Sequence, residues 1–282
     1  MPHEQDAFET FDGLRLFENR WTPEGDPMAL VVVIHGFTEH SGRYEQAAAE
    51  LNQRGYAVAA MDLRGHGQSD GARTFIESFD EYVDDLDIHL ARIRERWPGL
   101  PLFLFGHSMG GTIAIRQAMK RPESIERFDI RGIILSAPAL QVADSLFPIL
   151  RRLAKLLSRL FPRMRVVRMG STYISRDPEA VAAFRNDPLV FHDRFPVRTG
   201  AELLDAMDDI LANAEDLRLP FFLLQGTDDR VVCPRSCRRL IARAKSPDKE
   251  LRLYEGFYHS LLHEIDREAV LQDIIDWLDA RR

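Results

Sequence analysis

The chain of 282 residues is poor in cysteine and has no long apolar run. Its two cysteines, Cys233 and Cys237, stand four residues apart, and we interpret them as free thiols in a reducing compartment. No apolar stretch approaches the roughly 20 residues that a membrane-spanning helix needs. The first six residues, MPHEQD, lack the apolar core of a secretion signal. Together these absences predict a cytoplasmic protein.

Charge and composition narrow the class further. The formal net charge is −7, which argues against nucleic acid as a partner. Hydrophobic residues make up 45% of the chain, as is typical of a globular protein with a sizeable core. The length suits one large α/β domain that carries an insertion.

Short apolar runs alternate with amphipathic stretches along most of the chain. We predict strands at 29–34, 56–61, 102–105, 131–135, 221–224 and 250–254, and helices at 42–54, 78–97, 111–119, from about 234, and near 264–280. This alternation predicts an α/β fold with a mostly parallel central sheet and helices on both faces. An antiparallel hairpin around Asp12 and Gly13 is expected at one edge of the sheet.

The region from about residue 140 to residue 198 breaks this alternation and shows no convincing strand. We interpret it as an inserted helical cap, which divides the core into residues 1–139 and 199–282. An amphipathic helix is expected at 145–161, before Pro162. Its apolar face holds Leu146, Ile149, Leu150, Leu153, Leu156, Leu157, Leu160 and Phe161.

Basic residues are interspersed in this helix, and no acidic residue occurs between Asp144 and Asp177. A basic amphipathic helix can lie in a membrane interface. It can equally pack its apolar face onto its own domain and leave the basic face in solvent. The sequence leaves both interpretations open.

A serine lies in the sharp turn between a predicted strand and a predicted helix. The segment Gly-His-Ser-Met-Gly at 106–110 follows the apolar run at 102–105, which is the context of a nucleophile elbow. The glycines on either side of Ser108 leave room for a strained turn. The alternative is an ordinary Gly-rich turn whose serine only caps the helix. We favour Ser108 as a nucleophile.

A nucleophilic serine needs a base and a carboxylate that orients the base. In this fold the order along the chain is serine, acid, histidine. The acid is expected just after the strand at 221–224, where Asp228 and Asp229 are adjacent, and spacing alone leaves both open. His259 lies after the last predicted strand and is the candidate base. His263 follows four residues later without the glutamate of a His-Glu-x-x-His motif, so neither a metal ion nor a cofactor is predicted.

Acyl transfer also needs donors directed at the developing oxyanion. The backbone N–H of Met109, directly after the nucleophile, is one expected donor. The second is expected in the loop after the strand at 29–34, where His35-Gly36-Phe37 places the N–H of Phe37. A plain tight turn is the alternative for this loop.

Several segments resemble monoacylglycerol lipases of the α/β-hydrolase superfamily. They are HGFTEHSGRY at 35–44, DLRGHGQSDG at 62–71, GHSMG at 106–110, NDPL at 186–189, LQGTDDR at 224–230 and YEGFYH at 254–259. The similarity covers nearly the whole chain, cap included. The elbow identifies only the superfamily, whereas the segment at 39–44 is far more selective.

The resemblance implies roles for individual residues. It implies Asp229 rather than Asp228 as the triad acid. It also implies a polar alcohol pocket formed by Glu39, Arg43 and a second histidine, for which His263 is the candidate although its spacing from His259 is one residue longer than in mammalian members. Glu39 and Arg43 can alternatively form a structural ion pair without ligand contact.

The sequence therefore predicts a serine hydrolase that cleaves monoacylglycerols to fatty acid and glycerol through an acyl-enzyme. A lysophospholipase or a broad carboxylesterase is the alternative within enzymes, and the negative charge of Glu39 disfavours a phosphate headgroup. A non-catalytic lipid-binding protein on the same fold is a more distant alternative. The predicted partners are an amphiphilic ester and, through the helix at 145–161, a membrane surface.

Overall fold

An eight-stranded sheet forms the centre of the computed structural model, which describes residues 2–143 and 155–282. The spatial order of its strands is β1-β2-β4-β3-β5-β6-β9-β10. These strands are β1 (His3–Glu9), β2 (Arg15–Trp21), β3 (Ala29–Ile34), β4 (Tyr56–Met61), β5 (Leu102–His107), β6 (Ile130–Ser136), β9 (Phe221–Gly226) and β10 (Lys249–Tyr254).

The six strands from β4 to β10 in this order run parallel, and β2 joins β4 antiparallel. The strands β3, β4, β5 and β9 are buried along their whole length, which explains their continuous apolar runs. Every strand predicted for the core is present. The expected edge hairpin is also confirmed, since β1 pairs antiparallel with β2 and Ala7 lies opposite Phe17.

Helices cover both faces of the sheet. On one face lie α1 (Glu45–Gln53) and α8 (Arg267–Asp279). On the other lie α2 (Asp80–Arg96), α3 (Met109–Lys120), α6 (Val197–Ala212) and α7 (Pro234–Arg243). The short helix α4 (Pro122–Arg127) follows α3. The predicted helix at 42–54 begins instead as a 3-10 turn at Ser41–Tyr44 before α1. No helix among the described residues has the length and apolarity needed to cross a bilayer.

The chain leaves the central sheet between β6 and β9. The expectation that this region holds no strand is wrong, because β7 (Arg165–Arg168) and β8 (Arg194–Pro196) pair antiparallel in a small separate sheet. The helix α5 (Pro178–Asn186) lies between them. Both strands are short and rich in arginine, so they carry none of the apolar pattern of the core strands.

Only part of the predicted helix at 145–161 falls within the described residues, in which 155–160 are helical. Leu146, Ile149, Leu150 and Leu153 of its predicted apolar face lie outside them. The described part exposes three large apolar side chains, with exposed fractions of 53% for Leu156, 62% for Leu160 and 59% for Phe161. Leu157 is half-buried and Ser158 is buried, so the same part also contacts its own domain.

Asp62, directly after β4, ties two loops at the carboxyl edge of the sheet. Its Oδ1 accepts from the backbone N–H of Ser41 at 2.7 Å and from the Ser41 hydroxyl, and its Oδ2 accepts from the N–H of Gln68 at 2.8 Å. Ser41 and Asp62 are both fully buried. The loop after β3, which carries Phe37 and Glu39, is thereby fixed to the loop after β4.

We expect Asp62→Ala to lower the free energy of unfolding by about 3 kcal/mol, because buried donors of Ser41 lose their acceptor. Chemical denaturation measures this change. Asp26→Ala is the matched control, since Asp26 is exposed and its loss is expected to change stability by less than about 0.5 kcal/mol. Equal stability of the two variants would show that the hydrogen bonds of Asp62 between the two loops do not stabilise the fold.

Candidate active site

Three predicted site residues follow three different strands of the parallel sheet. Ser108 follows β5, Asp229 follows β9, and His259 lies in the loop after β10. Carboxyl ends of parallel strands meet at one edge of the sheet, which is where ligand sites of open α/β folds lie. This shared edge brings together residues that are up to 151 positions apart in sequence.

The three side chains form a continuous hydrogen-bonded chain. His259 Nε2 lies 2.9 Å from Ser108 Oγ, and His259 Nδ1 lies 2.8 Å from Asp229 Oδ2. All three residues are buried. The geometry is that of a base held between a nucleophile and an orienting carboxylate.

Asp229 is the aspartate that faces His259, whereas Asp228 is exposed and its N–H donates to the carbonyl of Phe257. The second oxygen of Asp229 accepts from the N–H groups of Val231 at 2.8 Å and Val232 at 3.0 Å. Burial opposes ionisation, yet the charge interaction and hydrogen bond with His259 and the two N–H donors lower the pKa of Asp229 below its ordinary value. The carboxylate is therefore ionised at neutral pH.

Ser108 adopts a strained backbone conformation, with φ 52° and ψ −117°. The glycines two residues before and two residues after Ser108 permit this conformation, because backbone atoms approach both of them closely. A Cβ on Gly110 would lie 2.0 Å from the carbonyl oxygen of Ile34, and a Cβ on Gly106 would lie 2.5 Å from that of Gly110. No residue other than glycine fits at these positions. The strain, of about 1–3 kcal/mol, points the Ser108 hydroxyl out of the turn toward His259.

The backbone N–H groups of Met109 and Phe37 are the two donors that the sequence predicts for the oxyanion. Met109 is the first residue of α3, so its N–H has no partner within the helix. Within residues 2–143 and 155–282, neither this N–H nor that of Phe37 donates to a protein acceptor. The loop of Phe37 is held from below by His35, whose Nδ1–H donates to Gly36 O at 2.7 Å and whose Nε2 accepts from Leu63 N at 2.9 Å.

The segment between α5 and α6 holds the same loop from above. The N–H of Phe191 donates to Thr38 O at 2.8 Å, and Thr38 has an unfavourable φ of 69°. His40 Nδ1 accepts from Gly42 N, so its Nε2–H donates to Asp187 Oδ2 at 2.8 Å. The ring of Phe37 also packs edge-on against that of Phe195, with ring centres 5.0 Å apart.

Glu39 is buried in the loop after β3, and each of its carboxylate oxygens has a hydrogen-bond partner. Its Oε1 accepts from Gly36 N at 2.7 Å and from the Tyr44 hydroxyl at 2.8 Å, and its Oε2 accepts from Arg43 Nε at 3.0 Å. Burial opposes its charge, but His107, Arg43 and other neighbours hold the pKa of Glu39 far below its ordinary value. Glu39 thus carries a negative charge at the site.

His263 lies behind Arg43. Its Nε2 donates to the carbonyl oxygen of Arg43 at 3.1 Å, and its ring packs edge-on against Tyr44. Burial and the nearby charge of Arg43 lower the pKa of His263 to about 4, so the ring is neutral at neutral pH. The structure therefore brings His263 to Arg43 and not to the cleft in front of Ser108.

A small cleft opens in front of Ser108. Its lining includes Glu39 and His259. It also includes residues that no sequence motif marked as part of a site, namely His107, Met169, Ile174, Phe184, Val231 and Ser260. Several of these belong to the irregular region between β6 and β9, where no periodicity marks them. His107 was detectable as the residue before the nucleophile, and burial lowers its pKa to about 3, which leaves it neutral beside His259.

Comparisons with known proteins agree with this geometry. The family described as serine aminopeptidase, S33 (Hydrolase_4), matches residues 25–266. The chain is 34% identical to the monoacylglycerol lipase of Mycolicibacterium smegmatis over 96% of this chain and 95% of that protein. It is 37% identical to the monoglyceride lipase of Homo sapiens over 100% of this chain and 91% of that protein. The crystal structure of a monoacylglycerol lipase from Paleococcus ferrophilus superimposes with a TM-score of 0.81 at 33% identity, over 99% and 98% of the two chains.

We expect Asp229→Asn to lower kcat for a soluble p-nitrophenyl ester by about 10⁴-fold, because the amide no longer holds the required tautomer of His259. Asp228→Asn is the matched control, one residue away and exposed. Its kcat is expected to stay within about twofold of the unmodified protein. A larger loss in the Asp228 variant would reverse the assignment.

Proposed function

The chain belongs to the family described as serine aminopeptidase, S33, and from this premise we propose that it hydrolyses the ester bond of monoacylglycerols, releasing a fatty acid and glycerol. The observation that carries the proposal is the buried hydrogen-bonded chain from Ser108 through His259 to Asp229. The relatives named as monoacylglycerol lipases match along nearly the whole chain, which supports the substrate class.

The reaction proceeds in two halves. In the first, Ser108 Oγ attacks the ester carbonyl while His259 Nε2 takes the hydroxyl proton. The N–H groups of Phe37 and Met109 stabilise the oxyanion of the tetrahedral intermediate. The intermediate collapses, His259 gives its proton to the departing glycerol oxygen, and the acyl group stays on Ser108.

In the second half, water attacks the acyl-enzyme. His259 takes a proton from the water, and the same two N–H groups hold the second oxyanion. Collapse releases the fatty acid and returns the proton to Ser108. Asp229 stays ionised throughout and keeps the His259 ring oriented, which is the role that its lowered pKa supports.

The cleft favours an uncharged headgroup. Glu39 is ionised beside the nucleophile loop, so a phosphate in the same place would be repelled. We assign Glu39 and Arg43 to the glycerol side of the site, and His263 to support of Arg43 through its carbonyl. Met169, Ile174, Phe184 and Val231 offer apolar contact for the acyl chain.

The exposed surface of residues 155–168 is the proposed point of contact with bilayers or micelles. It presents Leu156, Leu160, Phe161, Met164 and Val167 to solvent. The basic residues Lys155, Arg159, Arg163, Arg165 and Arg168 are interspersed and exposed. Apolar side chains that enter the headgroup region and cations that attract anionic lipid are the two features of an interfacial surface. Such contact would deliver the amphiphilic substrate.

We expect Ser108→Ala to reduce fatty acid release from a monoacylglycerol at least about a thousandfold, since the nucleophile is lost. Ser78→Ala serves as the control serine and is expected to behave like the unmodified protein. Parallel assays with a lysophospholipid and a diacylglycerol of the same acyl chain define the headgroup preference. Faster turnover of the lysophospholipid would make the protein a lysophospholipase, and retained turnover in Ser108→Ala would refute the site.

The membrane contact has a separate test. We expect Leu160→Ser combined with Phe161→Ser to weaken binding to vesicles that contain anionic lipid by about tenfold or more, because two apolar side chains no longer enter the interface. Phe11→Ser is the matched control, since Phe11 is 67% exposed on the edge hairpin. Hydrolysis of a soluble ester should not change in any of these variants. Undiminished vesicle binding of the double variant would exclude this surface.

A further inference from the structure

A buried amide stands next to the orienting carboxylate. Gln225 is fully buried near the end of β9, in a strand whose preceding residues are all apolar. Its Nε2 lies 3.0 Å from Asp229 Oδ2, the same oxygen that accepts from His259 Nδ1. With the N–H groups of Val231 and Val232 on the other oxygen, the carboxylate of Asp229 has four donors, two on each oxygen.

The orientation of this amide is set by two further contacts. Nε2 also donates to Gly226 O at 3.1 Å, and Oε1 accepts from Cys237 Sγ at 3.3 Å. In the reversed orientation Oε1 would face Asp229 Oδ2 and Gly226 O, two acceptors that repel it. Only the observed orientation gives every polar atom of the Gln225 side chain a partner of the right kind.

Cys237 is the residue that can donate to Oε1. It is fully buried in α7, and burial together with the negative charge of Asp229 raises the pKa of its thiol well above the usual value. The thiol therefore keeps its proton at neutral pH and acts as a weak donor. Cys233 differs, because it is partly exposed at the start of α7 and has no such contact in the described part of the chain.

Burial of a primary amide between apolar neighbours is costly unless each of its polar atoms is hydrogen-bonded. A leucine would fill the strand position without that cost. Unlike leucine, the amide of Gln225 donates a hydrogen bond to Asp229 Oδ2, the oxygen that also accepts from His259 Nδ1.

We propose that Gln225 is a positioning residue for the triad acid and that Cys237 fixes the direction in which its amide points. The inference rests on the proposed function. Gln225 holds Asp229 Oδ2 in line with His259 Nδ1, and its N–H group stabilises the negative charge of the Asp229 carboxylate by a hydrogen bond. When this donor is lost, the carboxylate moves more freely and also attracts a proton on the neighbouring imidazole more strongly.

The test compares kcat, KM and the pH profile of kcat/KM for a soluble p-nitrophenyl ester. For Gln225→Leu we expect kcat to fall about tenfold, as for a lost hydrogen bond to a charged group, with KM within about twofold. The acid limb of kcat/KM should move to higher pH. Cys237→Ala should change kcat and the acid limb in the same direction by a smaller amount. Cys237→Ser should return both to the values of the unmodified protein, because the serine hydroxyl donates to Gln225 Oε1.

Cys233→Ala is the matched control and should leave both readouts unchanged. An unaltered kcat and acid limb in folded Gln225→Leu would overturn the role of Gln225. If that variant does not fold, the Cys237 pair decides, since equal behaviour of the Ala and Ser variants would overturn the inference. A wrong substrate assignment would give a different result from a wrong role of Gln225. In that case the unmodified protein would hydrolyse the soluble ester but not a monoacylglycerol.

Discussion

The approach of α3 to the end of β3 sets the geometry on which the rest of the site depends. Gly110 lies against the Ile34 carbonyl at a distance that excludes any side chain. Ile34 ends β3, and the loop of Phe37 begins there. Met109 precedes Gly110, so one contact fixes the spacing between the two backbone donors as well as the turn of Ser108. The strained backbone conformation of Ser108 persists because β5 and α3, the elements on either side of it, are packed in the core.

Much of this arrangement could be predicted from the sequence because it depends on local patterns. The apolar runs of β3, β4, β5 and β9 report burial on both faces, and parallel strands deliver their following residues to one edge. The Gly-His-Ser-Met-Gly segment has a steric meaning that needs no partner. Ser108 and His259 were therefore identifiable from their positions after strands.

Other features depend on contacts that no local pattern reports. Asp228 and Asp229 are equally placed in sequence, and what distinguishes them is the turn in which Asp229 captures the N–H groups of Val231 and Val232. The strands β7 and β8 are short and charged, so they resemble loop. Gln225 reads as a polar interruption of a strand until Cys237, twelve residues later, is placed beside it. Each of these depends on a neighbour brought close by tertiary structure.

The segment between α5 and α6 touches the core through Asp187, Phe191 and Phe195, and all three contacts fall on residues 37–40. The region between β6 and β9 therefore helps to position the loop that carries the Phe37 N–H, and a change in this region also changes the support of that loop. A chimera that received this region from a distant homologue would also receive foreign supports for the Phe37 loop. A substitution on either side of these contacts is thus expected to shift the Phe37 loop, even when the substituted residue lies far along the chain from Ser108.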